Sequence, residues 1–164
     1  MKKLALTLSL LISGATLTAG EKVASPDGGI IVDFNLSPSG RPVYSVSFKG
    51  EEIVRPSGLG FLLKDATPMI DGFRVDSITR ASVDDIWKPV WGENAEIADS
   101  YRSMTVHMTQ PLSSGETRKL DVEFRAYDDG AALRYIFPSQ AASELVIADE
   151  LTEMAMGSSH SSDM

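Results

Sequence analysis

Lys119-Leu120-Asp121-Val122-Glu123-Phe124-Arg125-Ala126-Tyr127-Asp128-Asp129-Gly130-Ala131-Ala132-Leu133-Arg134-Tyr135-Ile136-Phe137 is the stretch on which the fold turns. Leu120, Val122, Phe124 and Ala126 alternate with Lys119, Asp121, Glu123 and Arg125; after Asp128-Asp129-Gly130, Leu133, Tyr135 and Phe137 resume the spacing of two. A strand sends successive side chains to opposite faces, so this period marks half-buried antiparallel strands. An amphipathic helix would repeat its apolar residues at three and four. Asp-Gly between two such runs is a strong hairpin signal, because Gly accepts positive φ without steric cost. The pattern predicts a hairpin joining residues 120–127 to residues 131–137.

The same period extends upstream. Met104, Val106 and Met108 alternate with Thr105, His107 and Thr109, and residues 111–116 supply a Pro- and Gly-containing loop. Residues 101–137 therefore read as a three-stranded meander. Nearer the start, Ile30, Val32, Phe34 and Leu36 form one alternating run, closed by Pro38-Ser39-Gly40. Tyr44, Val46 and Phe48 form another, and Lys49-Gly50-Glu51-Glu52 turns the chain toward Ile53 and Val54. Short strands punctuated in this way, with no convincing helix, predict an all-β sandwich. Two segments break the pattern. Residues 84–100 carry both tryptophans, a Pro and a Gly, and read as a long irregular loop. Residues 157–164 form a Ser-rich tail, read as disordered or as the point where a longer protein is cut.

Composition narrows the chemistry. The chain has 164 residues, 15 basic against 23 acidic side chains, a formal charge of −8, two histidines and no cysteine. Nucleic acid is excluded as the main partner, since phosphate binding needs a clustered Lys/Arg surface and these cations are dispersed. Without cysteine there are no disulfides, zinc-thiolate sites or thiol nucleophiles. Lys2 and Lys3 precede an apolar run over residues 4–17, and Thr18-Ala19-Gly20 offers small residues for cleavage. Residues 1–20 thus read as a signal peptide cut after Ala19 or Gly20, placing the protein in the periplasm or outside the cell. The run is too short to span a bilayer, and no cysteine follows it to carry a lipid, so no membrane anchor is expected. Residues 21–156 form the predicted domain.

Few residues invite chemistry. Trp87-Lys88-Pro89-Val90-Trp91-Gly92-Glu93-Asn94 puts two large aromatics four apart on a Pro-stiffened segment. Trp87 and Trp91 could stack on the C–H faces of sugars while Glu93 and Asn94 bond hydroxyls; equally, both indoles could plug the core. Carboxylates pair at Asp84-Asp85, Asp128-Asp129 and Asp149-Glu150 with Glu153. Glycosidase chemistry needs two carboxylates facing each other across a cleft, and Ca²⁺ prefers oxygen clusters, but turn propensity explains these pairs. His107 lies on the polar side of a strand with no obvious acidic partner and reads as a surface residue.

Several of these segments, in order, resemble one family. They are Ser25-Pro26-Asp27-Gly28-Gly29, then Tyr44-Ser45-Val46 with Phe48-Lys49-Gly50, and Ser57-Gly58-Leu59-Gly60. Trp87-Lys88-Pro89-Val90-Trp91-Gly92-Glu93 follows, then Phe124-Arg125-Ala126-Tyr127-Asp128-Asp129-Gly130 and Leu133-Arg134-Tyr135. Together they look like the N-terminal β-sandwich domain of glycoside hydrolase family 97, bacterial α-glucosidases and α-galactosidases. The resemblance implies an antiparallel β-super-sandwich of the galactose-mutarotase type, followed in full-length relatives by a (β/α)₈ catalytic barrel. It implies α-glucan or α-galactoside as substrate, and a Ca²⁺ whose ligands lie mostly beyond residue 164. It assigns no catalytic residue and no cofactor to this chain. The length, shorter than the family's domain, leads to the expectation of an incomplete sandwich.

Overall fold

The computed structural model describes residues 20–87, 97–139 and 145–157. Four strands form the first sheet as a simple antiparallel meander: β1 (Glu21–Ala24), β2 (Ile30–Leu36), β3 (Pro42–Phe48) and β4 (Glu51–Gly58). A second meander holds β6 (Arg74–Trp87), β7 (Ile97–Pro111), β8 (Thr117–Ala126) and β9 (Ala131–Ile136). Between them in sequence, β5 (Phe61–Leu63) pairs with β10 (Ile147–Glu150) as a small third sheet. The described residues contain no helix.

The alternation predicted from sequence sets the register. Val32 lies opposite Val46 and Phe34 opposite Tyr44 in the first sheet. Met104 meets Phe124, Val106 meets Val122 and Met108 meets Leu120 in the second. All of these side chains are buried, because a slip of one residue would turn every one of them to water. The two apolar faces close on each other, with the Phe124 ring 5.9 Å from Phe34 and 6.0 Å from Tyr44. This is an all-β antiparallel sandwich.

The turns divide into those as read and those that differ. Lys49 and Gly50 both take positive φ, 50° and 87°, as a two-residue hairpin between twisted strands requires. The β8–β9 hairpin also forms, but Gly130 is not in the left-handed region. Its reversal centres on Asp128-Asp129, with the Tyr127 N–H donating to the Gly130 carbonyl at 2.8 Å. A tertiary contact accompanies this turn: the Asp128 carboxylate accepts the Asp27 N–H at 2.9 Å, tying this hairpin to the β1–β2 turn.

The expected loop over residues 84–100 is corrected. β6 continues to Trp87 and β7 begins at Ile97, paired in register from Asp84↔Ser100 to Trp87↔Ile97. The Ser100 hydroxyl donates to the Asp84 carboxylate, so a pair that looked like turn punctuation sits inside a ladder. The three-stranded meander likewise gains a fourth strand, β6. Residues 88–96 lie outside the described residues, as do residues 1–19.

The chain then crosses back to the first sheet. The Arg55 N–H donates to the Ala155 carbonyl at 2.8 Å and the Gly157 N–H to the Ile53 carbonyl at 2.9 Å. Residues 153–157 thereby cover the outward border of β4, leaving β1 as the other border of that sheet.

Candidate functional site

An apolar groove of about 620 Å³ lies between the two sheets, at the end where the β3–β4 turn meets the β8–β9 hairpin. Val46, Phe48 and Ile53 form one wall, Leu133 the other, and Met154 and Met156 reach in from the returning segment. Its origin is local. β9 presents the small side chains Ala131 and Ala132 here, so the second sheet leaves the first partly uncovered. Met154 and Met156 remain 64% and 61% exposed, and Phe48 and Ile53 are exposed beside them. Four large apolar side chains on one rim make a contact surface, since scattered single exposures are normal and clustered ones are not. Asp128 and Asp129, both exposed, are the only carboxylates among the described residues that line it.

The carboxylates prove to be clasps. Glu153 accepts the Gly58 N–H at 2.8 Å and the Arg41 guanidinium at 2.8 Å, and these two partners, the backbone donor first, hold its pKa below the ordinary range. Asp27 accepts the Ser25 hydroxyl at 2.6 Å and the Gly29 N–H at 2.8 Å, which lower its pKa likewise. Glu123 lies nearly buried between Arg125 and Arg134, so both arginines are accounted for by structure. Tyr135 donates or accepts at Thr152 Oγ1, 2.6 Å away, and burial pushes its hydroxyl up to about 12. Among the described residues no three His, Asp or Glu side chains converge on one point.

His107 has the acidic partner that the sequence did not suggest. Its Nδ1 lies 2.8 Å from Asp121 Oδ2, and Nε2 lies 3.1 Å from Thr79 Oγ1. The chain Thr79–His107–Asp121 has the residue order of a nucleophile, base and orienter. Yet it stands on the face of the second sheet turned away from the core, outside this groove. One signal could have found it: once Pro111 is paired with Thr117 across the loop, His107 falls opposite Asp121.

Of the sugar-contact candidates, Trp91, Glu93 and Asn94 lie outside the described residues. For Trp87 the backbone alone is described, closing β6 opposite Ile97. The groove itself escaped sequence reading, although Met154 and Met156, two apart, already alternate.

Comparison with known proteins agrees with this architecture. The family model described as "Glycosyl-hydrolase 97 N-terminal" matches residues 23–162. A retaining alpha-galactosidase of Bacteroides thetaiotaomicron is 27% identical over 138 residues, 83% of this chain and 19% of that protein. A glycoside hydrolase family 97 enzyme of Pseudoalteromonas sp. strain K8, solved in complex with panose, superposes with a TM-score of 0.78 at 32% identity, over 84% of this chain and 20% of that one. The same enzyme solved with acarbose gives the same agreement. A beta-arabinopyranosidase shares the fold, with a TM-score of 0.73 at 21% identity. The chain therefore spans about a fifth of the length of the relatives it matches. A sandwich of these registers, matched by the family model over almost all of its described length, belongs to the N-terminal domain family of glycoside hydrolase family 97.

Proposed function

We propose that this chain is a non-catalytic wall of an exported α-glycoside hydrolase: its sandwich packs against a catalytic barrel supplied by the rest of the protein and shapes that barrel's substrate cleft. The observation that carries the reading is the apolar groove, whose exposed Phe48, Ile53, Met154 and Met156 make a surface suited to cover by protein. The carboxylates support it from the other side. Glu153, Asp27 and Glu123 are each occupied by local donors, so no pair of them faces an open cleft as acid and base. The substrate class follows the relatives, a retaining alpha-galactosidase and enzymes bound to panose or acarbose, and is an α-galactoside or α-glucan. Ca²⁺, on this reading, belongs with the barrel.

The pure chain is expected to leave aryl α-glucosides and aryl α-galactosides intact. Turnover above the buffer rate that tracks the protein through purification would overturn the reading. Export rests on Lys2, Lys3 and the apolar run that follows. N-terminal sequencing of the protein from the periplasm should begin at Gly20 or Glu21, and a retained Met1 would contradict it.

A further inference from the structure

Among the described residues β1 has a hydrogen-bonded neighbour, β2, on one side only. Its other side looks across a groove of about 380 Å³ toward the long β6–β7 ribbon, lined among others by Lys22, Arg80, Ser82, Arg102 and Ser103. The ribbon's register explains why cations stand there. Arg80 lies opposite Met104, a core side chain, and Ser82 opposite Arg102. Arg80, Ser82 and Arg102 therefore continue the core-facing side of the ribbon past the point where β1 covers it. Where the first sheet ends, apolar residues give way to guanidinium groups.

Two of the three cations are already matched. Arg80 holds Glu21 at 2.6 Å and Lys22 holds Asp33 at 2.8 Å. Arg102 reaches only a neutral group, the Pro26 carbonyl, at 3.4 Å, and among the described residues no carboxylate pairs with it. The main chain supplies a second recognition element. The Lys22 carbonyl points out of the sheet toward β6, where Arg80 Nη2 approaches it at 3.5 Å. A border strand with outward-pointing backbone groups accepts an extended segment as a further strand, and a cation on the facing wall selects the charge of that segment.

We propose that the groove between β1 and the β6–β7 ribbon binds an extended acidic peptide segment, which adds to β1 as a new border strand and places a carboxylate on Arg102. Charge complementarity argues for this occupant: in a chain of net charge −8, the groove collects three cations and, among the described residues, leaves one of them without a carboxylate.

A fluorescently labelled heptapeptide of alternating Glu and Thr, titrated at low salt and followed by anisotropy, reads the proposal directly. Saturable binding is expected, weakened about threefold or more by Arg102→Gln, as suits an exposed ion pair. Arg102 is exposed, so the substitution leaves the core untouched. With the unaltered chain, alternate backbone N-methylation of the peptide should abolish binding, because it removes strand pairing while keeping the charges. Absent saturation overturns the proposal, as does equal binding by a Lys/Thr peptide, by the N-methylated peptide or by the Arg102→Gln chain. Free glucuronate competing as strongly as the peptide would also overturn it, because the groove would then read a small anion rather than a strand.

Discussion

Phe124 touches both halves of the fold. Its ring lies between those of Phe34 and Tyr44 on the opposite sheet and is essentially shielded from water. Phe124→Ala should therefore remove apolar transfer energy and leave a cavity at the sheet–sheet contact, costing about 3–5 kcal/mol in urea unfolding. A loss under about 1 kcal/mol would mean that the facing rings collapse into the space. Glu153 acts through charge instead. Because its carboxyl is held below the ordinary glutamate value, its stabilisation is complete above about pH 4.3 and fades as pH falls through the folded value. The side chain is 53% exposed, so solvent screens the Arg41 pair and the contribution is about 1 kcal/mol or less. Glu153→Gln should lower the midpoint slightly at pH 7 and by less at pH 3. Equal losses at both pH values would show that packing, not charge, carries the contact.

At the scale of the element, the two hairpin glycines separate conformational need from habit. Gly50 has φ of 87° with open space around it, whereas Gly130 also has open space but no positive φ. Gly50→Ala should cost about 1 kcal/mol in thermal unfolding from backbone strain alone, and Gly130→Ala should be nearly neutral. Matched losses would contradict the turn geometry. Sequence reading located both turns but not the backbone conformation of the second, where Gly130 lacks positive φ and Asp128 contacts Asp27, far away in the chain. Strands β2, β3, β7 and β8 were legible because one face of each is buried and the other is not. β6 was obscure for the opposite reason: Ser77, Thr79, Ala81 and Ser82 blur its two faces, and a bulge between Val75 and Ser77 shifts its phase. β10 is exposed along its length and carries no apolar rhythm at all. The Thr79–His107–Asp121 chain needed three strands in register before it could exist.

For the molecule as a whole, the apolar groove should govern behaviour in solution. Four large exposed side chains beside a cavity bind hydrophobic dyes and favour self-association. Replacing Met154 and Met156 with Asp should reduce both dye fluorescence and the sedimentation-detected dimer fraction without lowering the unfolding midpoint, since both side chains are more than half exposed in the folded chain. Unchanged dye binding would place the sticky surface elsewhere. Sequence reading found the sandwich but not this groove, because the groove depends on where residues 151–157 return and on the small Ala131 and Ala132.

That return has a consequence for synthesis. The N–H and carbonyl groups along β4 find their partners in Ala155 and Gly157, and the Ser57 hydroxyl takes the Ala155 N–H 98 residues away. A ribosome delivers the first sheet long before it delivers this strap. Until residue 157 clears the exit tunnel, β4 is a naked template on which another nascent chain could pair, and chaperone occupancy on stalled translation complexes should fall abruptly once that length is passed.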